Sequence, residues 1–346
     1  MGAFRFNLPA PVTGRLRAVD ELKGVAIILI VLYHAGGVMV WNNLLHLDVG
    51  VDLFVILSGI GLGFGAHYTG AASFLARRFT RILPAYWLIL TLCWVCNTHF
   101  LGEHYSSTNL WIHYLGIQGA VGGQYIFAIN DSFWFITLIV GLYVLYCPSH
   151  ALQDSPEQLL LLGAASSALV AFLLRFSPGY EGLIGFIATR MPGFFIGLLL
   201  GRLLKTGRIE FRIGPVLAVA VLLLVYLPGL FGVVYYSPLV ALSLMAAYLF
   251  GVKRLVPMAI EKPAARTLKF LGDHSLEIFL IHQPLIRDYN FYLYWRWFAN
   301  ASPSAGLRAV GIACALSVTV ALSMALHWLL QKIYLPLPTR LPLRPA

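Results

Sequence analysis

Long runs of apolar residues alternate along the chain with short polar or Pro/Gly-rich turns. A helix needs about 20 mostly apolar residues to cross the hydrocarbon core of a bilayer, and a strand cannot cross it singly. The pattern therefore predicts an all-α, polytopic integral membrane protein with about ten transmembrane helices. The predicted spans are 19–40, 49–67, 82–100, 131–149, 158–176, 183–203, 213–230, 233–250, 271–290 and 306–330.

Composition supports a membrane protein. Of the 346 residues, 59% are hydrophobic and 11% are charged, whereas soluble domains carry roughly 25% charged residues. No hydrophilic stretch is long enough for a separate soluble domain. We therefore expect one membrane domain over 1–346, with a polar N-terminal segment over 1–18 that is not a cleavable signal and a Pro-rich tail over 331–346.

Basic residues predict the orientation. Most of the 24 Lys and Arg residues fall in one set of alternate loops, and cytoplasmic loops hold the excess of positive charge. Both termini are therefore predicted to be cytoplasmic. The net charge of +10 suits contact with anionic membrane lipids, and no nucleic-acid partner is expected.

Polar side chains form a stripe on the first predicted span. At ~100° and ~1.5 Å per residue, Asp20, Lys23 and His34 share one face, with Lys23 and His34 ~16 Å apart. Ionisable side chains within a span usually face a protein interior or a water-filled cavity. Because neutral imidazole can accept a hydroxyl proton, His34 is a candidate general base. The alternative is a structural histidine bonded to a neighbouring helix.

Three arginines, Arg77, Arg78 and Arg81, precede the third predicted span. The spacing of Arg78 and Arg81 puts two guanidinium groups on one helical face. Arginine binds phosphate through a planar fork of donors, so this pair could hold a phosphorylated ligand. Anchoring to lipid headgroups is the alternative.

Two segments between spans carry aromatic residues. Residues 71–87 are predicted to form an interfacial helix that turns at Pro84 into the third span, with Tyr86 and Trp87 as interface anchors. Residues 100–131, on the outer side, mix aromatics with amides and carboxylates. That mixture suits either binding of a sugar or a plain cap on the membrane surface.

Polar residues also occur in the second and ninth predicted spans. Asp52 lies at the outer start of the second span, where it either orients His34 or the acceptor, or caps the helix. Ser275 and His282 are two helical turns apart, which suggests a second cavity wall. Alternatively, His282 bonds backbone groups left free by Pro284.

Several ordered motifs together resemble the acyltransferase 3 family of membrane O-acyltransferases. These are Lys23 followed eleven residues later by His34, "GVDLFVILSG", "RRFTRILPAYW", "FWFITLIVGLYVLYCP" and "LGDHSLEIFLIHQP". One departure is that many members carry a glutamate in the fourth-span motif, where Ile139 and Val140 stand here. The extracytoplasmic hydrolase-like domain that some members fuse after the tenth span is not expected.

The resemblance implies acyl transfer in a bacterial inner membrane, from cytoplasmic acyl-CoA, most often acetyl-CoA, to a hydroxyl of an extracytoplasmic or cell-surface glycan. No metal is expected. A general base and an acyl-histidine intermediate remain alternatives for the mechanism, and the oligomeric state is open. The expected roles are catalysis by His34 and Asp52, binding of acyl-CoA by Lys23, Arg78 and Arg81, and binding of substrate by Asp20, Ser275 and His282.

Two other classes remain open. Ten spans with buried charges also suit a transporter of an acyl carrier, lipid or small polyol. A sensing or assembly subunit that has lost turnover is the other alternative. Transport predicts flux without a new covalent product.

Overall fold

The computed structural model describes residues 3–7, 16–38, 47–65, 68–121, 123–152, 155–175, 187–212, 237–252, 258–289 and 304–334. These residues are mostly helical, as predicted. The helices are α1 (Arg17–Val38), α2 (Val49–Gly65), α3 (Ala71–Cys96), α4 (Ser107–Tyr114), α5 (Gln118–Val121), α6 (Trp134–Ala151), α7 (Pro156–Arg175), α8 (Met191–Thr206), α9 (Ser237–Ala246), α10 (Met258–Asp273), α11 (Ser275–Gln283) and α12 (Ala305–Tyr334). Single π-helical turns prolong α3, α9 and α11, over Asn97–Leu101, Ala247–Val252 and Pro284–Tyr289.

A two-stranded antiparallel ribbon was not predicted. Strand β1 (Ala3–Asn7) pairs with β2 (Arg208–Arg212), with Ala3 opposite Arg212 and Asn7 opposite Arg208. Both strands alternate apolar residues, mainly Phe and Ile, with polar ones, and this pattern is typical of strands. The polar N-terminal segment therefore contains regular structure outside the helices.

Among the described residues, three helices are long and apolar enough to cross a membrane: 71–101, 134–151 and 306–333. Shorter apolar helices occur at 49–65, 156–170, 240–249 and 275–286. The seventh predicted span, 213–230, and the tail after 334 lie outside the described residues. The structure thus shows a helical membrane protein.

The third and ninth spans differ from their predicted form. Helix α3 runs without a break through Pro84 from Ala71, so the predicted turn at Pro84 is wrong. A proline removes one helical hydrogen bond, and transmembrane helices tolerate this loss when neighbours stabilise them. The ninth span is divided at His274, because α10 ends at Asp273 and α11 begins at Ser275.

Close backbone contact joins α2 to α8. A Cβ atom on Gly59 would overlap the carbonyl oxygen of Phe194, and one on Gly197 would overlap that of Ile56. Small residues let membrane helices approach closely and gain van der Waals contact. Close packing of α2 on α8 therefore depends on the absence of a side chain at Gly59 and Gly197.

The outer segment, residues 100–131, packs on α3. Side chains of α3 donate hydrogen bonds to the backbone of this segment. The Tyr86 hydroxyl donates to the carbonyl oxygen of His113 at 2.7 Å, and the Trp87 indole donates to that of Tyr114 at 2.8 Å. Tyr86 is fully buried, so its predicted role as an interface anchor is wrong. Both side chains instead hold the α4 region against α3.

Candidate active site

A cavity of about 640 Å³ lies between α1, α2, α3, α6 and the helices α10 to α12. Ligand sites for small molecules typically enclose roughly 300–1,000 Å³. Three predicted cations, Lys23, Arg78 and Arg81, line this cavity. They come from α1 and α3, so the fold brings together basic residues that are far apart in sequence.

Arg78 and Arg81 are cations whose guanidinium groups are available for a ligand. The guanidinium of Arg78 lies over the rings of Phe74 and Tyr143, 5.4 and 5.6 Å from their centroids. Within the described part of the chain, neither arginine forms a hydrogen bond or ion pair. Contact with an aromatic face leaves the donors of a guanidinium able to bind an anion.

Asp20 and Lys23, two members of the predicted stripe on α1, contact each other. The ammonium of Lys23 lies 3.9 Å from a carboxylate oxygen of Asp20. Asp20 is largely buried, whereas Lys23 is partly exposed and reaches the cavity. Asp20 therefore lies where it can orient the Lys23 ammonium.

Helices α11 and α12 form a polar wall of the cavity. Ser275, Glu277, His327 and Gln331 line it, and Nδ1 of His327 lies 2.8 Å from Oε1 of Glu277. Ile139 of α6 also lines the cavity. Two carboxylates, those of Asp273 and Glu277, line the cavity. They come from α10 and α11 and not from the fourth predicted span.

His34 and His282 form a pair away from the residues that line the cavity. Nε2 of His282 lies 3.1 Å from Nδ1 of His34, and the ring centroids are 4.9 Å apart in an edge-to-face arrangement. His282 is fully buried, whereas His34 is partly exposed. The structure thus places His282 against the candidate base and not on the wall that contains Ser275.

One phenylalanine of the cavity wall also contacts this pair. Phe54, Phe135 and Phe279 line the cavity, and Phe135 contacts Phe279 with centroids 5.0 Å apart. The ring of Phe279 also contacts His282 at 5.8 Å. An apolar part of the cavity wall therefore lies next to the histidine pair.

Asp52 contacts a buried arginine. Its Oδ2 lies 3.5 Å from Nε of Arg190, which also donates to Asp48 at 3.0 Å. Both Asp52 and Arg190 are about 1% exposed, and Arg190 lies over the ring of Trp134. Asp52 therefore balances a buried cation, a role that the sequence analysis did not assign to it.

Sequence reasoning missed His327 and Arg190 as members of polar clusters. Each is an ionisable residue inside a predicted span, which is by itself a signal of a buried polar site. The signal was present, but only the fold shows which side chains pair.

Comparisons with known proteins agree with this architecture. The model of the acyltransferase 3 family, described as an acyltransferase domain, matches residues 16–328. A protein of Komagataeibacter xylinus, provisionally named membrane-bound transacylase BcsY, is 27% identical over 318 residues, which cover 86% of this chain and 79% of that protein.

A second relative is more distant. A protein of Acidianus two-tailed virus, provisionally named acetyltransferase ORF330, is 24% identical over 160 residues, which cover 44% of this chain and 46% of that protein. No solved structure matches the chain. Because the family model spans most of the chain, the protein belongs to the acyltransferase 3 family and is a membrane acyltransferase.

Proposed function

We propose that the protein transfers an acyl group, acetyl as the first choice, from cytoplasmic acyl-CoA to a hydroxyl of an extracytoplasmic or cell-surface glycan. It would act in the inner membrane of a bacterium as a single domain of ten spans, with both termini in the cytoplasm. His34 serves as the general base. The cavity receives the donor, and the acceptor reaches His34 from the opposite side.

The observation that carries the proposal is the convergence of Lys23, Arg78 and Arg81 on one cavity. Coenzyme A bears several phosphate oxygens at one end and the thioester at the other. Cations that line a cavity can hold the phosphates, while an apolar part of its wall accommodates an acyl group. The phenylalanines of the wall, with Phe279 beside His282, supply that apolar part.

Acyl transfer needs one proton to leave the attacking hydroxyl. A thioester is already activated, so positioning and proton removal are the main tasks of the protein. His34 lies on the same helix as Lys23, about 16 Å along the axis by helical rise. An extended donor whose phosphates are held near Lys23 would reach towards His34 with its thioester.

The remaining predicted residues take supporting roles in this proposal. Asp20 orients Lys23 through their contact at 3.9 Å. The Ser275 hydroxyl, on the cavity wall, contacts the donor. Asp52 fixes the outer end of α2 through Arg190, so its effect on catalysis is indirect.

Transfer of label tests the reaction. The purified full chain in lipid nanodiscs is given radiolabelled acetyl-CoA and a glycan extract, and labelled glycan is counted. His34→Ala should lose about 10²–10⁴-fold in rate, whereas His99→Ala, at an exposed histidine, should match wild type. Equal rates for His34→Ala and wild type would contradict the role of His34, and glycan flux without label would favour a transporter.

Affinity for the donor tests the cavity. Loss of a charge-assisted hydrogen bond costs roughly 1.5–3 kcal/mol, so Arg78→Ala and Arg81→Ala should weaken acyl-CoA binding by about tenfold or more. Arg77 is exposed, bonds Thr69 and does not line the cavity, so Arg77→Ala is the matched control. Equal losses at Arg77 and Arg78 would favour lipid anchoring.

A further inference from the structure

The contacts of His282 determine which of its ring nitrogens carries a proton. Its Nδ1 lies 2.9 Å from the carbonyl oxygen of Phe279 and 3.1 Å from that of Ile278. A carbonyl oxygen can only accept, so Nδ1 must be the donor. The neutral ring then has a lone pair on Nε2, the atom that faces His34.

The same reasoning applies to His34. Its Nδ1 lies 3.0 Å from the carbonyl oxygen of Ile30 and 3.1 Å from Nε2 of His282. Both of these atoms are acceptors, so the proton of the neutral His34 ring is on Nδ1. The lone pair of His34 is therefore on Nε2, the nitrogen that neither of these contacts uses.

We infer that His282 is a positioning residue that accepts the Nδ1 proton of His34 and thereby holds that ring with its Nε2 lone pair ready to receive a proton. The inference rests on the proposed function, in which His34 is the general base. It replaces the earlier expectation that His282 binds substrate. The hydrogen bond made by one ring nitrogen of a histidine determines which of the two nitrogens carries the proton.

Acyl transfer moves one proton through Nε2 of His34. The hydroxyl proton of the acceptor moves to Nε2 of His34 while the hydroxyl oxygen forms a bond to the thioester carbonyl carbon. The carbon–sulfur bond breaks, sulfur keeps the electron pair, and the proton on Nε2 passes to sulfur to give the free thiol of coenzyme A. His34 Nδ1–H remains bonded to His282 throughout, so the ring does not rotate during the transfer.

A spectroscopic test does not depend on turnover. The full chain, labelled with ¹⁵N-histidine, is reconstituted in lipid bilayers, and the His34 signals are assigned by their loss in His34→Ala. In wild type the His34 signals should show a protonated Nδ1 and an unprotonated Nε2. His282→Phe keeps a ring but removes one of the two acceptors of the Nδ1 proton and leaves the Ile30 carbonyl. A population protonated on Nε2 should therefore appear in this variant.

Kinetics provide the second measurement. Partners that orient metal-bound imidazoles typically contribute about 10- to 100-fold to activity. We expect an effect of the same order here, so His282→Phe should lower kcat by about that amount with little change in KM for acyl-CoA. His282→Gln retains an acceptor oxygen and should recover much of the loss. This recovery separates positioning from a general requirement for folding.

The outcomes distinguish the two proposals. The positioning role alone is overturned if His34 in the wild type is protonated on Nε2. It is also overturned if His282→Phe leaves kcat and the ¹⁵N signals unchanged while His34→Ala is inactive. His34→Ala with wild-type turnover overturns the base assignment, and the role of His282 falls with it.

Discussion

Oε1 of Glu277 lies 2.8 Å from Nδ1 of His327, which joins α11 to α12 across the wall of the cavity. One helical turn later, the amide nitrogen of Gln331 lies 2.9 Å from Nε2 of His327. Glu277 is almost buried, and His327 is partly exposed. The pair can therefore hold the two helices in register at the position where the cavity needs a fixed wall.

Double substitution should reveal coupling between these residues. Residues in direct contact typically show interaction energies of about 0.5–3 kcal/mol, and partial exposure of His327 places the expected value near the lower end. The measurement is denaturant unfolding in micelles of Glu277→Ala, His327→Ala and the double variant. Additivity of the two single effects within about 0.3 kcal/mol would show that the contact does not stabilise the fold.

Removal of Arg190 should strongly destabilise the protein. Breaking a buried ion pair from one side typically costs about 3–5 kcal/mol, because it leaves an uncompensated charge. Arg190→Leu should therefore lower the free energy of unfolding by about that amount, and Asp52→Asn in the same chain should restore part of it. A double variant less stable than Arg190→Leu would contradict charge compensation as the main role of Arg190.

Gly59 should not tolerate a methyl group, whereas Gly61 on the same helix should. A Cβ at Gly59 would overlap the backbone of α8, while one at Gly61 would have no atom within 4 Å. Overpacking typically costs about 1–3 kcal/mol, and alanine in an open helical position can stabilise by about 0.5–1 kcal/mol. Thermal unfolding of Gly59→Ala and Gly61→Ala should shift in opposite directions, and equal shifts would rule out the close contact as the cause.

Acidification should loosen the outer segment around His113. Burial lowers the pKa of this histidine below its usual value of 6.5, so the unfolded segment binds protons more readily than the folded one. The contribution of neutral His113 to the stability of the folded segment is complete above pH ~6.5. It decreases as the pH falls towards the lowered pKa. Hydrogen-exchange protection of residues 107–121, corrected for intrinsic rates, should therefore fall between pH 7 and 5.

His113→Gln removes the titrating group and should abolish that dependence. His99→Ala, at an exposed position, should leave it unchanged. Persistence of the pH effect in His113→Gln would assign it to another group.

Apolar periodicity predicted several helices to within a few residues. Predicted spans 131–149 and 306–330 correspond to Trp134–Ala151 and Ala305–Tyr334, because an uninterrupted apolar run has a single stable form in a bilayer. The prediction failed at Pro84, where a local rule for helix ends was applied to a helix that its neighbours stabilise. A local sequence pattern does not show how strongly neighbouring helices stabilise a helix.

The basic residues of the cavity were predicted, but their surroundings were not. The resemblance to the acyltransferase 3 family grouped Lys23 with Arg78 and Arg81, and all three line one cavity. The contact between His34 and His282 joins residues 248 positions apart. Such a pairing depends on which helices pack together, and hydrophobic periodicity contains no information about helix partners.

The ribbon formed by β1 and β2 limits how the chain can thread the bilayer. Hydrogen bonding between Ala3–Asn7 and Arg208–Arg212 puts both strands on the same side of the membrane, so the chain must cross an even number of times between them. The six spans predicted between residues 19 and 203 have this parity. During synthesis β1 must also wait for its partner, since residue 212 is made only after α8. Closure of the ribbon therefore marks completion of the first six predicted spans.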